Sequence, residues 1–100
     1  MSMIQTGVLD LDSTSPLEER SGNTSTFTRV TFPTPFPAGA TVIVIPAVQT
    51  FNGSQTPGVR IANVTTDGFH IRFNEVYATA IAKSDGLHTT ETVGWIATTA

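Results

Sequence analysis

From Phe69 to Asn74 the chain alternates apolar and polar residues without a break: Phe69, Ile71 and Phe73 on one side, His70, Arg72 and Asn74 on the other. Side chains of an extended backbone point to opposite faces with a period of two. The segment therefore reads as a strand whose first set faces inward and whose second faces outward. No part of the chain carries a sustained helical period, and what recurs instead is short strand-type runs bounded by turn residues. Ile4 to Leu11 is the first, with Leu9 and Leu11 on one face and Asp10 and Asp12 on the other. Phe27 to Phe32 is the second, with Val30 and Phe32 opposite Arg29. Pro33, Pro35 and Pro37 then exclude a helix and force an extended crossing.

The third strand, Thr41 to Thr50, is a continuous apolar run, which predicts that both its faces are at least partly buried. Pro46 within it lacks a ladder donor, so it belongs at an edge or a bulge. Gly58 to Val64 is the fourth strand, and Asp67-Gly68 marks the hairpin that leads into the fifth. The last strand, Thr92 to Thr98, places Val93, Trp95 and Ala97 on one face. Two connections are long. Ser13 to Ser25 is polar, with Leu17 as its one large apolar residue, and loops of this length are often functional or mobile. Glu75 to Glu91 contains Ala78 to Ala82, compatible with either a strand extension or a helical turn, and the turn Ser84-Asp85-Gly86. Six strands with polar turns predict an all-β, six-stranded antiparallel β-sandwich, residues 1–100 forming one domain.

A chain of 100 residues buries only roughly 60–70% of the surface its unfolded form exposes. Cysteine is absent, so neither a disulfide nor a thiolate zinc site stabilises it. Burial between copies of the chain is the remaining common route. Charged residues make up 13% of the chain, against roughly 25% in ordinary globular proteins. Thr, Ser and Asn fill the gap. Such a surface suits neutral polar ligands, although strand propensity alone also enriches Thr. Five scattered Lys and Arg against a net charge of −3 give no basic stripe, so nucleic-acid binding is not expected. The apolar run Val42 to Val48 is too short to insert into a membrane. No signal peptide is visible, so synthesis in the cytoplasm is expected, with virion assembly or non-classical export as routes outward. The three glycosylation sequons, at Asn23, Asn52 and Asn63, read as chance matches on that ground.

Gln5-Thr6-Gly7, then Phe32-Pro33-Thr34-Pro35-Phe36, then Asn63-Val64-Thr65-Thr66-Asp67-Gly68-Phe69, and finally Gly94-Trp95-Ile96-Ala97 occur in an order spanning nearly the whole chain. This ordered set resembles the H-type lectin domain, the family of snail agglutinins and of the C-terminal domain of discoidins. The resemblance implies a six-stranded sandwich assembling as a trimer. It also implies that galactose-type sugars, notably N-acetylgalactosamine, bind in clefts between subunits. The chain departs from the family between Phe73 and Val93, a stretch that is longer here and lacks Trp. Counted back from Trp95, the family's sugar-contacting Tyr falls at Thr89, and Arg60 is the nearest match to its Arg contact.

Sugar sites need planar hydrogen-bonding groups for vicinal hydroxyls and an apolar face for the ring. Between the fifth and sixth strands the chain concentrates such residues: Asn74, Glu75, Tyr77, Lys83, Asp85 and His88. With Arg60 on the fourth strand, the candidate ligand-binding set is Arg60, Asn74, Tyr77, Asp85 and His88. Each has a plainer reading beside it. Asp85 is also a turn former before Gly86, Arg60 a solvent-exposed or intersubunit charge, and the others parts of a solvated loop. Trp95 fits the core. His70 and Arg72 suit either open surface or a trimer interface. Asp10-Leu11-Asp12 supplies too few oxygens for calcium, the two His lack zinc spacing, and no cofactor or metal is expected. No Gly-x-Ser-x-Gly elbow is present, and an enzyme is not expected. The expectation is a carbohydrate-binding module acting by multivalency as a homotrimer. The alternative is a trimeric structural or receptor-binding module of a phage or viral fibre or surface appendage, without a sugar site.

Overall fold

The computed structural model describes residues 3–74 and 85–100. These form six strands: β1 (Ile4–Ser13), β2 (Thr28–Thr31), β3 (Val42–Val48), β4 (Val59–Ala62), β5 (Gly68–Phe73) and β6 (His88–Thr99). They pair into two three-stranded sheets, β1-β6-β3 and β2-β5-β4, and every pairing is antiparallel. The inner faces meet in a core of Leu11, Phe32, Phe36, Phe69, Ile71, Phe73, Val93, Trp95 and Ala97. The period-two expectation for β5 and β6 holds on these inner positions.

Four aromatic rings occupy the centre of the sandwich. Phe32 meets Phe36 edge-on at 5.0 Å between centroids and lies 5.6 Å from Trp95, which meets Phe69 edge-on at 5.5 Å. Such tilted and edge-on contacts suit the ring quadrupoles. Gly7 is paired directly with Trp95 across β1 and β6. A Cβ at Gly7 would stand 2.3 Å from Trp95 Cζ2, so the indole lies where any side chain at this position would be. The Pro-rich crossing is held by the Gln5 side chain. Its Nε2 donates to Thr34 O at 2.6 Å and its Oε1 accepts from Thr34 N–H at 3.1 Å, as a neighbouring strand would.

The described structure also departs from the sequence expectations. β1 continues past Leu11 to Ser13 through a register irregularity, and β6 begins at His88 rather than Thr92. The third strand was expected to be at least partly buried on both faces. Its two faces differ in degree: Ile43 and Ile45, on the side turned away from the second sheet, are 46% and 55% exposed. Pro46 does sit on an edge strand, as its missing N–H requires. Gly68 opens β5 without a positive φ; a Cβ there would come within 2.0 Å of Val30 O. The left-handed residue of the β4–β5 turn is Asn63, at φ 50°.

Arg72 is the main correction. The alternation sends it to the outer face of β5, and it was expected at open surface or an interface between subunits. Its exposure is 3%. The connection from β1 to β2 folds back over this face, and its polar groups receive the guanidinium. Nη1 donates to Thr26 Oγ1, Nη2 to Pro16 O and, at 3.2 Å, to Ser15 O, and Nε to Phe73 O at 3.0 Å. The planar fork thus fastens both ends of a long loop to one strand.

Candidate functional site

The β1–β2 connection stands off β4 beyond the Arg72 anchor and leaves a groove of about 520 Å³. One wall is β4 itself, with Arg60, Ile61 and Ala62; β4 is the edge of its sheet. The opposite wall is the turn Glu18 to Thr24, with Leu17 and Phe27 as its apolar parts and Asn74 at one end. This volume is in the range of small-molecule sites, and the lining combines an aromatic ring with amide, hydroxyl and guanidinium groups.

The turn is built by its own side chains. Glu18 accepts from Glu19 N–H at 3.0 Å, from Arg20 N–H at 3.2 Å and from Asn23 Nδ2. Asn23 N–H in turn donates to Arg20 O at 3.1 Å, and Gly22 supplies the left-handed conformation at φ 80°. The whole turn is clasped to the end of β5 by Asn74. Its Oδ1 accepts from Glu18 N–H at 2.9 Å, and its Nδ2 donates to Glu18 O at 3.0 Å.

Of the five candidate site residues, Arg60 and Asn74 therefore come together in this groove. Asp85 and His88 line no part of it. Asp85 Oδ1 accepts from Leu87 N–H at 2.9 Å, forming the side-chain turn that its place before Gly86 suggested. Gly86, at φ 82°, packs against the backbone of Pro16 and Leu17. His88 is on β6 with its side chain 3% exposed, its ring edge-on to Phe73 at 5.3 Å and its Nε2 2.5 Å from Glu91 Oε2. Tyr77, with Glu75, Lys83, Ser84 and the Ala78 to Ala82 segment, lies outside the described residues. Arg20, Asn23, Thr24 and Phe27 belong to the groove although no pattern in their neighbourhood singles them out. The one available signal was the length of the connection that carries them.

The carboxylate of Glu91 is engaged through both of its oxygens. Oε1 accepts from Asn52 N–H at 2.9 Å and from Thr50 Oγ1 at 3.2 Å, and Oε2 faces His88. Its pKa is lowered from the ordinary glutamate value, first because the Asn52 N–H stabilises the anion, with His88 and Thr50 adding to this against the opposing effect of burial. The cluster ties the loop after β3 to the start of β6. Among the described residues no group of three or more His, Cys, Asp or Glu is placed to hold a metal ion, and no helix is long and apolar enough to cross a membrane.

Set against family models, curated proteins and solved structures, the chain finds no match in any of the three.

Proposed function

We propose that the protein is a carbohydrate-binding module that works as a homotrimer, binding galactose-type sugars in the groove between β4 and the Glu18–Thr24 turn. The observation that carries this reading is the groove itself. It sets a half-buried aromatic, Phe27, among Arg60, Asn23, Thr24 and Asn74, the side-chain types that meet a sugar ring and its hydroxyls. Multivalency would supply the avidity, since several weak sites on one rigid assembly raise overall binding by ~10²–10⁴ without new contacts.

Assembly is supported by the outer face of β1-β6-β3. The registers align Ile4, Thr98 and Ile43 in one row, Thr6, Ile96 and Ile45 in the next, and Val8, Gly94 and Ala47 in a third. Val8 is 70% and Ile4 66% exposed in the single chain. Contiguous apolar surface of this kind marks an interaction site. A copy of the same chain is the proposed occupant. The same face also favours the second reading, a trimeric fibre or appendage module without a sugar site, because assembly does not depend on the groove.

A glycan array carrying neutral and acidic galactose-type sugars separates the two. The expected result is binding by the purified protein that disappears in Arg60→Ala and Phe27→Ala variants whose oligomeric state is unchanged. A silent array from an intact assembly would leave the structural module as the surviving reading.

A further inference from the structure

Resting on the carbohydrate reading, we infer that the groove selects a saccharide carrying a carboxylate over its neutral counterpart. Three arginines stand on or behind its walls. Arg60 and Arg20 line the groove, and neither has an ion-pair partner among the described residues. Arg72, directly paired with Arg60 across β4 and β5, is buried against neutral acceptors only: three backbone carbonyls and the Thr26 hydroxyl. Its charge is solvated by dipoles rather than cancelled, and like charges directly opposite each other on a sheet repel. An anion close to Arg60 relieves both.

The carboxylates of the same groove, Glu18 and Glu19, lie in the turn that forms the wall opposite Arg60. Glu18 spends its oxygens on the Glu19 and Arg20 N–H groups and the Asn23 amide, which fixes it in the turn. Arg60, on the facing wall, has a guanidinium fork whose geometry matches a carboxylate with two hydrogen bonds. The pyranose body of such a ligand would lie against Phe27, with its acid group toward Arg60 and Arg20.

Methyl galactoside and methyl galacturonide differ only in the oxidation of C6, so titrating each into the full-length chain, by amide chemical shifts, isolates the carboxylate. A methyl sialoside as a third arm distinguishes an acidic nonulose from a uronic acid as the source of the acid group. The expected result is that an acidic sugar binds roughly tenfold or more tightly than methyl galactoside, as one charge-assisted pair would give. The gap should narrow as added salt screens the site. Arg60→Gln and Arg20→Gln, both at exposed positions, should each shrink it, with unchanged amide spectra elsewhere reporting an intact fold. Equal affinity for the neutral and acidic sugars overturns the selectivity and leaves the carbohydrate reading standing. Absence of binding by all three sugars overturns both.

Discussion

Single residues in this sandwich are selected by close approach as much as by hydrophobicity. Gly7 and Gly68 have ordinary backbone angles, yet each faces an atom that leaves no room for a methyl group: the Trp95 indole for one, the Val30 carbonyl for the other. Gly7→Ala should cost about 1–3 kcal/mol, the usual range for overpacking. A loss in the denaturation midpoint together with a changed near-UV signal from Trp95 would locate the strain at the indole. Arg72 makes the opposite demand, since its side chain must be present and forked. Arg72→Lys keeps the charge but provides one ammonium where the guanidinium reaches Thr26, Ser15 and Pro16 at once. Buried carbonyls are then left unpaired, and a loss of about 2–4 kcal/mol follows. Urea unfolding measures it; a variant as stable as the parent would mean the loop is held by other contacts.

Among the elements, the connections carry the less obvious chemistry. The loop after β3 is pinned to β6 by Glu91, whose carboxylate meets Asn52 N–H, Thr50 and His88. Folding lowers the Glu91 pKa, so the folded state holds the anion more tightly than the unfolded chain does. The stabilisation is complete above the unfolded value and is lost as pH falls through the folded one. Stability should therefore decline on acidification below about pH 4.5, and Glu91→Gln should flatten that part of the profile. Denaturant midpoints across this range test the slope, and identical profiles for the two proteins would remove Glu91 from the account. The six strands and their inner faces were legible in the sequence, because a period of two is a local property written into consecutive residues such as Phe69, Ile71 and Phe73. The groove was legible only in part. Arg60 and Asn74 announced themselves as chemistry-bearing residues on strands, but Arg20, Asn23 and Phe27 reach the site through the path of a long connection. That path depends on the Arg72 and Asn74 anchors, contacts across more than fifty positions of chain. The burial of Arg72 was illegible for the same reason: alternation assigns a face, and only the fold of a distant loop decides whether that face is covered.

For the whole molecule, the two outer surfaces of the sandwich differ in kind. One sheet presents Arg60, the Arg29–Asn63 contact and the loop-covered Arg72, a surface of hydrogen-bonding groups. The other presents Ile4, Val8, Ile43, Ile45 and Ile96 with Ala47, and almost no charge until Asp10 at its border. A small domain without disulfides gains most by burying the second surface against itself. In the proposed trimer this places the apolar sheets at the contact between copies. Ile45 and Ile96 are direct neighbours across β3 and β6, at the middle of that face. Replacing both with Glu puts two charges where a copy would have to desolvate them, while each position is already exposed in the single chain and tolerates the change with little loss of fold stability. Sedimentation of the parent should give about three times the 10.6 kDa chain mass, and the double variant should sediment as a folded single chain. A parent that runs as a monomer at micromolar concentration would remove the assembly. So would a double variant that still sediments as a trimer, since these isoleucines could then not lie at the contact.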